Sequence, residues 1–100
     1  MWALRALLIG LGVAQMGCGG LYYTVTIRSA EARVEEARAA GAEASAPYEY
    51  YYAKEHLREA QLQAARASYG DAATFAETAE TYAQKAIDRT TGAKHTESPQ

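Results

Sequence analysis

This 100-residue chain has only one cysteine, two prolines, one phenylalanine and one tryptophan. A lone Cys18 cannot form an internal disulfide. Acids and bases nearly cancel, leaving a formal net charge of −2. No block of lysine or arginine follows a phosphate backbone, so nucleic acid is not an expected partner. The glycines form no phosphate-binding loop pattern either. Alanine and tyrosine are plentiful instead, and with so little proline they favour helix over strand in one small domain.

The first residues read as an address. Arg5 is the only charge before the apolar run Ala6-Leu7-Leu8-Ile9-Gly10-Leu11-Gly12-Val13-Ala14. A positive start, an apolar run of about nine residues and a small residue before a cut describe an export signal. Gly17-Cys18-Gly19-Gly20 then resembles a bacterial lipobox, with cleavage expected between Gly17 and Cys18. The resemblance implies that residues 1–17 are removed and that Cys18 carries a covalent lipid. Gln15 stands three before the cysteine, where such signals usually have leucine. Two alternatives remain open. The uncharged run from Ala6 to Ile27 is about the length of a bilayer-spanning helix, although each of its glycines costs about 1 kcal/mol relative to alanine. The other alternative is that Cys18 is an idle thiol. The expected organisation is a lipidated cysteine and tether over 18–25, a helical domain over 26–90 and a disordered tail over 91–100.

Within the domain three helices are expected, near 26–41, 47–68 and 71–90. Each has a seam alternating steps of three and four, the period that keeps one stripe towards a partner helix. The first is Ile27, Ala30, Val34, Ala37, Gly41 and Ala44. The second is Ala46, Tyr50, Ala53, Leu57, Ala60, Ala64 and Ala67. The third is Ala72, Phe75, Ala79, Tyr82 and Ala86, with Ala76 and Ala83 beside it. Gly41 to Pro47 reads as the first turn, with Ser45 as a cap. Gly70 suits the left-handed position past the second helix, and Asp71 caps the third. The fold class is therefore all-α: an antiparallel helical hairpin, or an up-down-up three-helix bundle in which the first helix also packs. Alanine seams bury little apolar surface, so self-association or docking onto another envelope protein is expected.

Chemistry is scarce. His56 lies among Glu49, Glu55 and Glu59, but Ala53 and Leu62 occupy the positions where a helical Glu-x-x-His metal pair would need its partners. It reads as a surface histidine. Ser29, Ser45 and Ser68 stand at helix or cap positions, and His95 lies in the tail. No catalytic residue, metal, cofactor other than the Cys18 lipid, or small-molecule substrate is expected. The unusual feature is the cluster Tyr48, Tyr50, Tyr51 and Tyr52. Tyr50 belongs to the seam, so Tyr48, Tyr51 and Tyr52 face outward in part or meet the first helix. They either close the bundle end or present a contact surface, since tyrosine serves both ends.

The run Ala46-Pro47-Tyr48-Glu49-Tyr50 with Ala53, Leu57 and Ala60, then Tyr69-Gly70-Asp71 with Ala72, Ala76, Ala79, Ala83 and Ala86, resembles the domain of unknown function 4398. That resemblance implies a small alanine-rich helical protein of the bacterial envelope, often bearing a lipoprotein signal, with no catalytic residues to carry over. Gly19 after the cysteine lacks the aspartate associated with inner-membrane retention, so an outer-membrane lipid anchor facing the periplasm is expected. An inner-membrane anchor over 6–27 is the alternative. The expected role is structural or adaptor. Gly70-Asp71, Phe75, Ala79 and Ala86 also resemble, more loosely, a tetratricopeptide unit, and the competing expectation is such a module gripping a peptide or glycan through Tyr48–Tyr52.

Overall fold

The computed structural model describes the backbone of residues 2–97 and the side chains of residues 20–92. Four helices follow one another: α1 Trp2–Ala39, α2 Ala42–Ser45, α3 Pro47–Ala65 and α4 Tyr69–Glu97. Short connections send α1 up, α3 down and α4 up, so the chain is all-α and bundled. The last helix is the middle of the assembly, packing extensively on both α1 and α3, while α1 and α3 touch less.

Two layers make the core. In the lower one, Ile27 and Ala30 of α1 meet Ala60 of α3 and Ala76 and Ala79 of α4, flanked by Tyr23, Leu57 and Phe75. In the upper one, Val34 and Ala37 meet Ala42, Ala46, Tyr50, Ala53, Ala83 and Ala86, flanked by Leu57, Tyr82 and Ile87. Every buried apolar residue described, apart from Ile27, Val34 and Tyr50, is alanine. A methyl group leaves little between two helix backbones, so alanine seams favour close approach of the helices. Hydroxyl–carboxylate bonds add cross-links on the α1 side, from Ser29 to Glu80 at 2.7 Å and from Tyr22 to Glu77.

The helices run further than their seams. The tether expected over 18–25 is helical, as is the tail as far as Glu97. No proline interrupts either stretch, and an isolated glycine costs only about 1 kcal/mol in a helix. Around residue 22 that cost is offset by contacts that local sequence does not display: Tyr22 reaches Glu77, and the Tyr23 ring lies 5.7 Å from that of Tyr69. Gly17 and Cys18 lie outside the residues with described side chains. Among the residues described to that level, no helix is long and apolar enough to cross a membrane; most of the uncharged run from Ala6 falls outside them.

The turns also differ from expectation. Gly41 does adopt the left-handed conformation, φ +88°, but the segment to Pro47 contains the short helix α2. Gly41 and Ala44 therefore leave the seam and are exposed. Ser45 is the last residue of α2 and caps nothing; Ala46 precedes α3 with no side-chain cap. At the second turn the left-handed residue is Ala67, φ +60°, and not Gly70. The Ser68 N–H donates to the Gln63 carbonyl at 2.9 Å and the Ala67 N–H to the Ala64 carbonyl at 2.9 Å. That is a Schellman closure with alanine where glycine is preferred. It ends α3 at Ala65, and α4 then starts at Tyr69, which puts Gly70 and Asp71 inside its first turn.

Two substitutions test this packing. Ala67→Gly relieves the left-handed strain and is expected to raise the unfolding free energy by about 1 kcal/mol in urea titration. Ala79→Leu places a larger side chain where the present one is 0% exposed, next to both α1 and α3 neighbours. It is expected to lower stability by about 1–3 kcal/mol.

Candidate functional site

The tyrosine cluster sits where α3 begins. Pro47 is at the first helical position, where its missing N–H costs nothing. Helical geometry then places Tyr48, Tyr52 and His56 in one row and Pro47, Tyr51 and Glu55 in the next. Between the rows lies a shallow groove of about 460 Å³, lined by those six residues. Its lining is almost wholly apolar surface, although the residues themselves carry hydroxyls, a carboxylate and an imidazole.

The expected contact residues divide. Tyr48 and Tyr51 are exposed, at 64% and 46%. Tyr52 is half-buried and meets α4, not α1: its ring centroid lies 4.0 Å from Tyr82 and 4.1 Å from the stacked His56 ring. Tyr48 leans on Tyr52 at 5.8 Å, and His56 on Phe75 at 5.9 Å. The result is a continuous aromatic row joining α3 to α4, with Lys85 Nζ 4.5 Å from the Tyr82 ring centre at its α4 edge. Such ring pairs each contribute about 0.5–1.5 kcal/mol beyond their buried area. Tyr51 is held differently. Its hydroxyl donates to Glu43 Oε1 at 2.7 Å, and that carboxylate raises the phenol pKa above its ordinary value.

His56 is half-buried and is not the plain surface histidine expected. Nδ1 lies 2.8 Å from the Tyr52 carbonyl oxygen. A carbonyl only accepts, so Nδ1 is the donor and carries the proton. In the neutral ring that leaves Nε2 as acceptor, on a residue that lines the groove. The four-residue spacing of Tyr48, Tyr52 and His56 is the sequence signal for this stack. Among the described residues, no three His, Cys, Asp or Glu side chains gather in a way that could hold a metal ion.

Glu49 fastens the groove end of the bundle. It is in the first turn of α3, its side chain only 14% exposed, and its Oε1 accepts from Arg89 of α4 at 2.6 Å. Its own backbone N–H, one of those a helix start leaves free, holds the carboxyl below its ordinary pKa of 4.5; Arg89 adds to the shift.

The family model described as Domain of unknown function (DUF4398) matches residues 25–100. No curated protein and no solved structure matches the chain.

The Glu49 shift fixes the sign of a pH effect. A carboxyl depressed by folding contributes stability that is fully present above about pH 4.5 and is lost as pH falls through its lower folded value. Glu49→Gln is expected to lower stability above about pH 4.5, where this contribution is fully present, and so to flatten the acid limb in urea titrations across pH 3–6 against the unsubstituted chain.

Proposed function

The chain belongs to the family described as Domain of unknown function (DUF4398), and from that premise we propose that it is an exported, non-catalytic envelope lipoprotein with a structural or adaptor role. The mature chain begins at an acylated Cys18 and is held at the outer membrane facing the periplasm. The position of Cys18 carries this reading. It follows the positive start at Arg5 and the uncharged run from Ala6, and only Gly19, Gly20 and Leu21 separate it from Tyr22, whose hydroxyl bonds across to α4. One acyl chain holds a protein marginally and two or more hold it stably, at about 0.8 kcal/mol per buried methylene. The anchor therefore lies in the lipid, and the bundle is what the lipid displays.

At the far end of the bundle the groove beside Tyr48 and Tyr51 is the docking surface for another envelope component. Exposed tyrosine on a rigid helix suits this, because its large amphipathic face is presented at little entropic cost. A second reading rests on the same groove: its row of rings suits stacking against a peptide or glycan. Replacing Tyr48 and Tyr51 by alanine is expected to keep helicity, since both are exposed, and to weaken partner contact in either case.

Intact mass and membrane fractionation of the full-length chain expressed in a bacterium, beside Cys18→Ser, test the anchor. The expected product is an acylated chain beginning at residue 18 in the membrane fraction, with the variant unprocessed. Unmodified full-length chain from both would overturn the lipoprotein reading.

A further inference from the structure

The large apolar side chains left in solvent are not scattered. Among the described residues they are Leu21, Tyr22, Val25, Leu62, Tyr69, Tyr48 and Tyr51. The last two flank the groove. The other five belong to the opposite end, where α1 enters the bundle and α3 turns into α4. The ring contact between Tyr23 and Tyr69 ties these elements together at that end. Leu21 at 67%, Val25 at 62% and Tyr22 at 58% exposure crowd one side of α1, a turn apart; Leu62 and Tyr69 flank the α3–α4 turn at 43% and 41%. Both inner layers of the bundle are already filled, so Leu21, Val25 and Leu62 lie outside the core, while Tyr22 and Tyr69 hold α1 against α4 and still leave much of their rings in solvent.

We propose that this end of the bundle is seated in the headgroup region of a lipid bilayer through Leu21, Tyr22, Val25, Leu62 and Tyr69. The inference rests on the reading that the chain is anchored on its N-terminal side, and it names what the domain does once anchored. Continuity of the chain chooses the occupant. Upstream of Leu21 the sequence is uncharged back to Ala6, so a lipid on Cys18 and an uncleaved membrane helix present the same end of the bundle to the bilayer. Because α1 is helical through this stretch, Val25 lies only about 10 Å of helical rise from Cys18. That is within the depth of about 5–10 Å to which apolar faces settle at the headgroup boundary. Tyrosine rings favour this level, with the ring in the acyl boundary and the hydroxyl in water. Charge plays a small part: Arg28 and Arg66 are exposed here, but so are Asp71 and Glu77. The contact is therefore apolar and insensitive to salt, unlike that of a basic patch.

Because acylated Cys18 has no free thiol, a cysteine introduced elsewhere into the lipidated full chain takes a nitroxide label alone. Leu62→Cys and Tyr69→Cys are labelled at the proposed seat and Tyr48→Cys at the groove, each in vesicles of phosphatidylethanolamine and phosphatidylglycerol. Oxygen, which concentrates in lipid, and a water-soluble nickel chelate then compete to relax the label. The expected result is a shift towards oxygen accessibility at 62 and 69, and nickel accessibility at 48, unchanged by added salt. Nickel accessibility at all three positions on vesicle-bound protein would overturn the seat and leave the anchor standing. Strong spin–spin coupling between labels at 62 would overturn it in favour of contact with a second copy. Protein that fails to float with the vesicles would overturn both readings.

Discussion

When a helix presents only methyl groups to its neighbours, its backbone must come close to theirs or the seam is empty, and this condition governs the rest of the bundle. Each buried alanine contributes about 0.8 kcal/mol, against roughly 1.5–3 for a larger apolar side chain, so stability comes from many small contacts in register. The helix that gathers most of them is α4, whose Ala72, Ala73, Ala76, Ala79, Ala83 and Ala86 are all buried. Both turns serve the same end, with left-handed residues at Gly41 and Ala67 that reverse the chain within a few residues. Long loops would let the seams slide. Large side chains are consequently pushed to the margins, where Tyr52, Tyr82, His56 and Phe75 form an outer aromatic row along the α3–α4 junction.

The seams were legible because alanine at steps of three and four is a strong periodic signal. Ile27, Ala30, Val34 and Ala37, then Ala46, Tyr50, Ala53 and Ala60, then Ala72, Ala76, Ala79, Ala83 and Ala86 are all buried as their spacing implies. What stayed hidden depended on partners distant in the chain. The helix continues through Tyr22 because Glu77 and Tyr69 meet its side, which nothing in Gly19-Gly20-Leu21 announces. Ala67 takes the left-handed position that Gly70 suited by residue type, because the backbone bonds to Gln63 and Ala64 outweigh the strain. Tyr52 was readable as amphipathic, but its choice of α4 over α1 was not, since it follows from which helix lies in the middle.

The two ends of the molecule answer different demands. At one end, the exposed apolar side chains follow the uncharged run that begins at Ala6. At the other, Tyr48 and Tyr51 line a groove on α3, and the Glu49–Arg89 ion pair ties the start of that helix to α4. A close-packed bundle between them is stiff enough to hold the second a fixed distance from the first. Under the adaptor role proposed above, the bundle would be a short spacer between an anchoring end and a contacting end.

The account stands or falls on α1 being part of the same cooperative unit as α3 and α4. Native-state hydrogen exchange of the full chain measures this most directly. The account predicts that amides from Ala30 to Ala37 exchange with the same opening free energy as those from Ala76 to Ala83, because α4 cannot keep its buried face without α1. Fast exchange across Ala30–Ala37 beside a protected α3–α4 pair would contradict it and reduce the fold to a hairpin with a loosely attached stalk.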